Sequence, residues 1–72
     1  MVTIRATTTG TIWKVLIAPG DIVAPGGEVV ILESMKMEIP VEAERGGTVA
    51  RVLIGAGDAV QQGQPLVEIE NG

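Results

Sequence analysis

Shifted by 37 positions, the sequence matches itself. GTIWKVLIAPGDIVAPGGEVVILE (10–33) aligns without gaps with GTVARVLIGAGDAVQQGQPLVEIE (47–70), and 11 of these 24 pairs are identical. The flanks agree as well, VTIRA (2–6) with IPVEA (39–43), so two copies fill the chain, about 2–35 and 39–72. A twofold repeat is too short for a solenoid, which needs three or more units to bury a continuous core. It calls for two similar halves related by a pseudo-twofold axis, each unable to bury its apolar face alone.

The apolar residues are almost all Val, Ile, Leu and Ala, with Trp13 the only aromatic. That β-branched bias favours strands, and the scattered Gly and Pro cut the chain into short runs. We expect one domain over 1–72, all-β, with strands at 2–6, 11–17, 21–24, 28–33, 37–42, 48–54, 58–61 and 65–70. Four strands per half give two four-stranded sheets packed as a sandwich or flattened barrel. Gly20-Asp21, Gly57-Asp58, Gly26 and Gly63 mark turns in which glycine supplies positive φ. No helix follows them, which argues against a phosphate cradle. In the second strand Val15 and Ile17 share a face and Ile12 falls on the other. A bulge near Trp13 and Lys14 would return Ile12 to the core. Trp13 itself reads as a packing or half-buried residue.

Several chemistries are excluded. With no Cys there is neither a disulfide framework nor a thiolate nucleophile. With no His, the commonest general base and metal ligand is missing, and Ser34 has nothing to activate it. No pair of carboxylates stands out as an acid/base couple. A net charge of −4 opposes binding to nucleic acid. No apolar run approaches the roughly 18 residues of a membrane span, and no signal pattern opens the chain. We expect a cytoplasmic, non-catalytic protein, monomeric in isolation, with no metal site.

The joint between the copies holds ESMKMEIP (33–40). Residues 28–42 form a β-rich run of 15, too long for one ordinary strand. A tight reversal at Met35-Lys36 divides it economically. The usual hairpin dipeptides are absent, so non-glycine residues would adopt positive φ there, at about 1 kcal/mol or more each. A local rule broken at one spot often marks a functional site. By symmetry the equivalent place in the other half is where the termini lie, so Lys36 should project from the opposite end. An exposed lysine lacks the desolvation that would suit Schiff-base chemistry. By position it is a solubilising lysine or one reached by a modifying enzyme. Met35 and Met37 would fill gaps in the core or form a soft apolar flank for a partner. Glu33 and Glu38 could face each other across the hairpin, a mildly unfavourable pairing.

At these residues the chain resembles a known family. Glu33-Ser34-Met35-Lys36-Met37-Glu38 is similar to the (A/S)-M-K-M attachment motif of biotinyl domains. The turns at Gly20, Asp21, Val23 and Gly26, repeated at Gly57, Asp58, Val60 and Gly63, resemble the rest of that pattern. The resemblance implies an eight-stranded barrel-sandwich hybrid with Lys36 on an exposed hairpin. It implies covalent biotin on Lys36, attached by biotin protein ligase, with Glu33, Ser34, Met35, Met37 and Glu38 read by the ligase and later partners. The tethered ring would take up a carboxyl group at a biotin carboxylase and give it to an acceptor, an acyl-CoA, at a carboxyltransferase. The two halves align without gaps, leaving no room for the protruding thumb of some carriers. Lipoyl domains share the fold but usually carry D-K-A; lipoate, alone or beside biotin, remains an alternative. A third reading is an unmodified barrel-sandwich interaction module.

Overall fold

The computed structural model describes residues 1–71. Eight strands follow in order: β1 (Val2–Arg5), β2 (Gly10–Val15), β3 (Ile22–Val23), β4 (Glu28–Ser34), β5 (Met37–Glu42), β6 (Gly47–Val52), β7 (Ala59–Val60) and β8 (Pro65–Glu70). They form two antiparallel sheets, ordered β1-β8-β6-β3 and β5-β4-β2-β7. The all-β, two-sheet expectation holds. The barrel is not closed: a groove of about 340 Å³ lies where edge strands β1 and β5 meet, lined by residues such as Ile4, Ala6, Val41 and Glu42.

The core is a single apolar cluster between the sheets. Its buried members are all Val, Ile, Leu or Ala, and no polar side chain is buried among the described residues. Alternation along β2 succeeds because of a bulge. Ile12 pairs with Leu32 and Lys14 with Ile31, leaving Trp13 as the extra residue. Ile12 thereby turns inward and is 1% exposed. The repeat copies the device in β6, where Val49 pairs with Ile69, Arg51 with Glu68, and Ala50 is extra.

The strands expected to reach 17 and 54 end instead at Val15 and Val52. The cause is the Gly-Asp turn. Ala18 N–H donates to the Asp21 carboxylate (2.9 Å) while Asp21 N–H donates to the Ala18 carbonyl (3.0 Å). Gly55 and Asp58 repeat this at 2.8 and 3.1 Å. Each carboxylate closes its turn and draws the chain off the sheet, although Ile17 and Ile54 still pack on the core. The connections 16–21 and 53–58 are equally long, and neither carries an inserted thumb.

The two sheets do not coincide with the two halves of the repeat. β1 and β3 of the first half lie with β6 and β8 of the second, and β5 and β7 of the second lie with β2 and β4 of the first. All four turns reinforce this exchange. Gly20 N–H donates to the Val49 carbonyl and Val49 N–H to that of Asp21; Gly57, Ile12 and Asp58 repeat the pattern, each at 2.8 Å. Gly26 and Gly27 bond Ala43 in the same reciprocal way, as Gly63 and Gln64 bond Ala6. Positive φ at Gly20 (95°) and Gly57 (94°) is what lets these turns present their amides to the other half.

Candidate functional site

β4 and β5 form a hairpin whose strands pair Leu32 with Ile39, Glu33 with Glu38 and Ser34 with Met37, leaving only Met35 and Lys36 in the loop. Both have positive φ, 52° and 63°. That is the signature of the type I′ turn, whose twist matches the strands it joins. Chain reversal within two residues enforces this conformation despite two side chains that disfavour it. We therefore expect Met35→Asn combined with Lys36→Gly to stabilise the domain by about 1–2 kcal/mol. At this chain length that raises the melting temperature by several degrees; a lower one in thermal denaturation would contradict the turn assignment.

The hairpin leaves its tip wholly in solvent. Lys36 is exposed, Met35 is 91% exposed and Met37 60%, while Glu33 and Glu38 flank them, also exposed. The methionines are therefore not core fillers. Ser34 is half-buried at the base. Lys36 forms no ion pair among the described residues, where Arg51–Glu68 is the one pair present. Among the described residues nothing holds its ammonium, which is open to approach from outside.

The fold also fixes where the tip points. Thr11 near the start of β2 pairs with Glu33, beside the tip. From there β2 carries the chain away to the turn at Gly20, which bonds Val49. Val49 is adjacent to Thr48, the partner of Glu70 at the end of β8, and β8 pairs with the start of β1 through Ile69 and Val2. Lys36 thus lies at the opposite end of the strands from Val2 and Glu70, where β1 begins and β8 ends.

Sequence reasoning missed one positioning residue. A Cβ on Gly10 would stand 2.5 Å from the Glu33 carbonyl oxygen and 3.3 Å from the Ser34 Cβ. Only glycine lets β2 seat against the hairpin base. The signal was present, since Gly10 and Gly47 are a repeat pair, but their long-range neighbour is visible only in three dimensions. The groove between β1 and β5 includes none of residues 33–38. No cluster of His, Cys, Asp and Glu suited to a metal occurs among the described residues, and no helix is long and apolar enough to cross a membrane.

Comparison with known proteins agrees with this geometry. A family model described as "Biotin-requiring enzyme", for the biotin/lipoyl family, matches residues 2–69. Over 36 residues the chain is 58% identical to a biotin/lipoyl attachment protein of Bacillus subtilis, covering 50% of this chain and 49% of that one. Over 40 residues it is 45% identical to a biotinylated protein TB7.3 homolog of Mycobacterium leprae, covering 56% of each. The matches thus span about half the length of these relatives. Among solved structures, the urea carboxylase of Kluyveromyces lactis superposes with a TM-score of 0.91 at 36% identity, covering 96% of this chain and 6% of that one. A single-chain, multi-domain long-chain acyl-CoA carboxylase gives 0.86 at 33% identity, covering 92% and 6%. A truncated AcrA from Campylobacter jejuni also gives 0.86, covering 99% and 87%, but at 23% identity it shares only the fold. With a family model matched over residues 2–69 and a lysine hairpin of the expected form, this chain belongs to the biotin/lipoyl attachment family.

Proposed function

We propose that this chain is a biotin carrier, modified on Lys36 by a biotin protein ligase, and that it serves a biotin-dependent carboxylase. The observation that carries the reading is Lys36 itself. It is an exposed, unpaired primary amine at the apex of a two-residue turn, between two exposed methionines. The donor set suits covalent attachment: an amine can form an amide, and no carboxylate among the described residues pairs with it. Once bound, biotin supplies a ring that carries a carboxyl group between a biotin carboxylase and a carboxyltransferase. The chain contributes presentation and tethering. The rigid hairpin holds the attachment point clear of the body, and covalent linkage keeps the cargo at high effective concentration near both sites. Met35 and Met37 offer adaptable apolar contacts to the enzymes that receive the tip, and Glu33 and Glu38 give those enzymes fixed charges to read.

Two solved neighbours are carboxylases, one of urea and one of long-chain acyl-CoA; we take an acyl-CoA as the final acceptor here. The unmodified module draws on the shared fold alone. The test is incubation with biotin protein ligase, ATP and biotin, followed by intact mass measurement and an avidin blot. One biotin per chain is expected. A chain left at its original mass would defeat the carrier reading, and a lipoyl adduct formed instead by a lipoate ligase would redirect it.

A further inference from the structure

The repeat allows each sheet's outer face to be compared with its counterpart, and at one place the pseudo-symmetry fails. On the β1-β8-β6-β3 sheet the central row runs Thr3, Glu68, Arg51. It is polar, with Arg51 Nε 3.4 Å from Glu68 Oε1. The repeat-equivalent row on the other sheet runs Pro40, Ile31, Lys14. Beside it is the bulged Trp13, 43% exposed with Lys14 Nζ 4.7 Å above its ring, where the first sheet has only Ala50. Pro40 is exposed and Ile31 only partly buried. Pro40, Ile31 and Trp13 thus form an apolar strip, with the Lys14 cation lying on its tryptophan, at the position where the same fold elsewhere uses an ion pair.

At both ends of the strip along the β4–β5 hairpin the charge is acidic, with Lys14 on β2 the cation beside it. Glu33 faces Glu38 on its tip side and Glu28 faces Glu42 on the other. Like charges placed directly opposite are unfavourable in the free hairpin. The equivalent positions on the other sheet carry no such pair, since Arg5 there faces Pro65. An apolar centre between two acidic rows matches a partner surface with an apolar centre and basic flanks. It does not match a second copy of this chain, whose net charge of −4 would set acid against acid.

We propose that the outer face of the β5-β4-β2 sheet, centred on Trp13, Ile31 and Pro40, is the docking surface for the enzyme that acylates Lys36. The proposal rests on the carrier reading. Proximity supports it. Ile31 is about 14 Å along the strand from the tip, and a protein interface is on the order of 30 Å across. An enzyme that draws the Lys36 amine into its own site therefore also overlies this face. The later carboxylase sites receive a long arm and have less need to seat the strands. Trp13 serves as the anchor, in keeping with the prominence of tryptophan among residues that dominate interfaces.

The test gives the apolar face its own counterpart's residues: Trp13→Ala with Ile31→Glu, each a residue the fold already carries at the equivalent place. In steady-state biotinylation the KM for this variant is expected to rise about tenfold or more, with kcat at saturating chain unchanged. Glu28→Gln with Glu42→Gln is expected to raise KM as well, and Arg51→Ala on the opposite face to leave it alone. An unchanged KM in the Trp13/Ile31 variant, or a loss confined to kcat, would overturn the proposal. If that double variant fails to fold by circular dichroism, Trp13→Ala alone is judged by the same criterion. A wild-type dimer in sedimentation that the Trp13/Ile31 variant dissociates would assign the face to self-association and overturn it too. A wild-type chain that accepts no biotin defeats the carrier reading and this proposal together. Normal labelling of wild type with equal KM in the variant defeats this proposal alone.

Discussion

Lys36→Arg is expected to abolish biotin attachment outright, while Lys14→Arg leaves it intact. Arginine keeps the positive charge, the length and the exposed position, so the hairpin is undisturbed. What it removes is the nucleophile: a guanidinium does not lose its proton in proteins, whereas an exposed lysine amine can do so and form an amide. Lys14 is the only other lysine, but it lies over the Trp13 ring on the face of the sheet, away from any turn that could enter an active site. The pair of substitutions therefore separates attachment at one position from general amine reactivity. Intact mass after incubation with ligase, ATP and biotin decides it. Labelling of the Lys36→Arg chain, or its loss on changing Lys14, would refute the assignment.

The largest effect on stability is expected from Leu32→Ala. Leu32 is completely buried, between Ile12 on β2 and Ile39 on β5. Removing a buried leucine side chain costs about 2–5 kcal/mol through lost transfer energy and the residual cavity. A domain of this size has on the order of 4–10 kcal/mol in total. The variant is expected to lose about half its stability or more, seen as a lower urea midpoint at unchanged m. Leu16→Ala, at a position already 43% exposed, is expected to cost far less. Equal losses would mean that the core is not the cluster described. Because Leu32 is in the row next to Glu33 and Glu38, its loss should also reduce labelling as the folded fraction falls, linking core packing to presentation of the tip.

Much of this architecture is legible in the sequence. Identity between Gly10–Glu33 and Gly47–Glu70 implied eight strands, the misaligned Ile12 implied the bulge at Trp13, and the overlong run at 28–42 implied the reversal at Met35-Lys36. Each rests on local pattern or chain length. What escaped the sequence was long-range. Ile22–Val23 and Ala59–Val60 are two-residue strands, too short to show a period, and nothing local says that each joins the sheet built around the other half's strands. Ile17 and Ile54 read as strand because they pack on the core, yet after the last cross-strand bonds, from the Leu16 and Leu53 N–H groups, the chain turns into the loops that Asp21 and Asp58 close. At the site, Lys36 and its neighbours were legible from the motif. The close approach of Gly10 to Glu33 was not, and the apolar row emerges only once Ile31 is known to face Pro40.

The strand exchange has a mechanical consequence. Eight backbone hydrogen bonds tie the four turns to the opposite half, and β3 and β7 each complete a sheet begun by the other copy. The peptide link through Met35 and Lys36 is thus the least burdened part of the joint. Tension between the halves is borne by interlocked ladders, as in a folded clasp, and not by the two residues of the turn. In the carrier role we propose for Lys36, a pull on that apex would be met by the ladders behind it and would not strain the body of the domain.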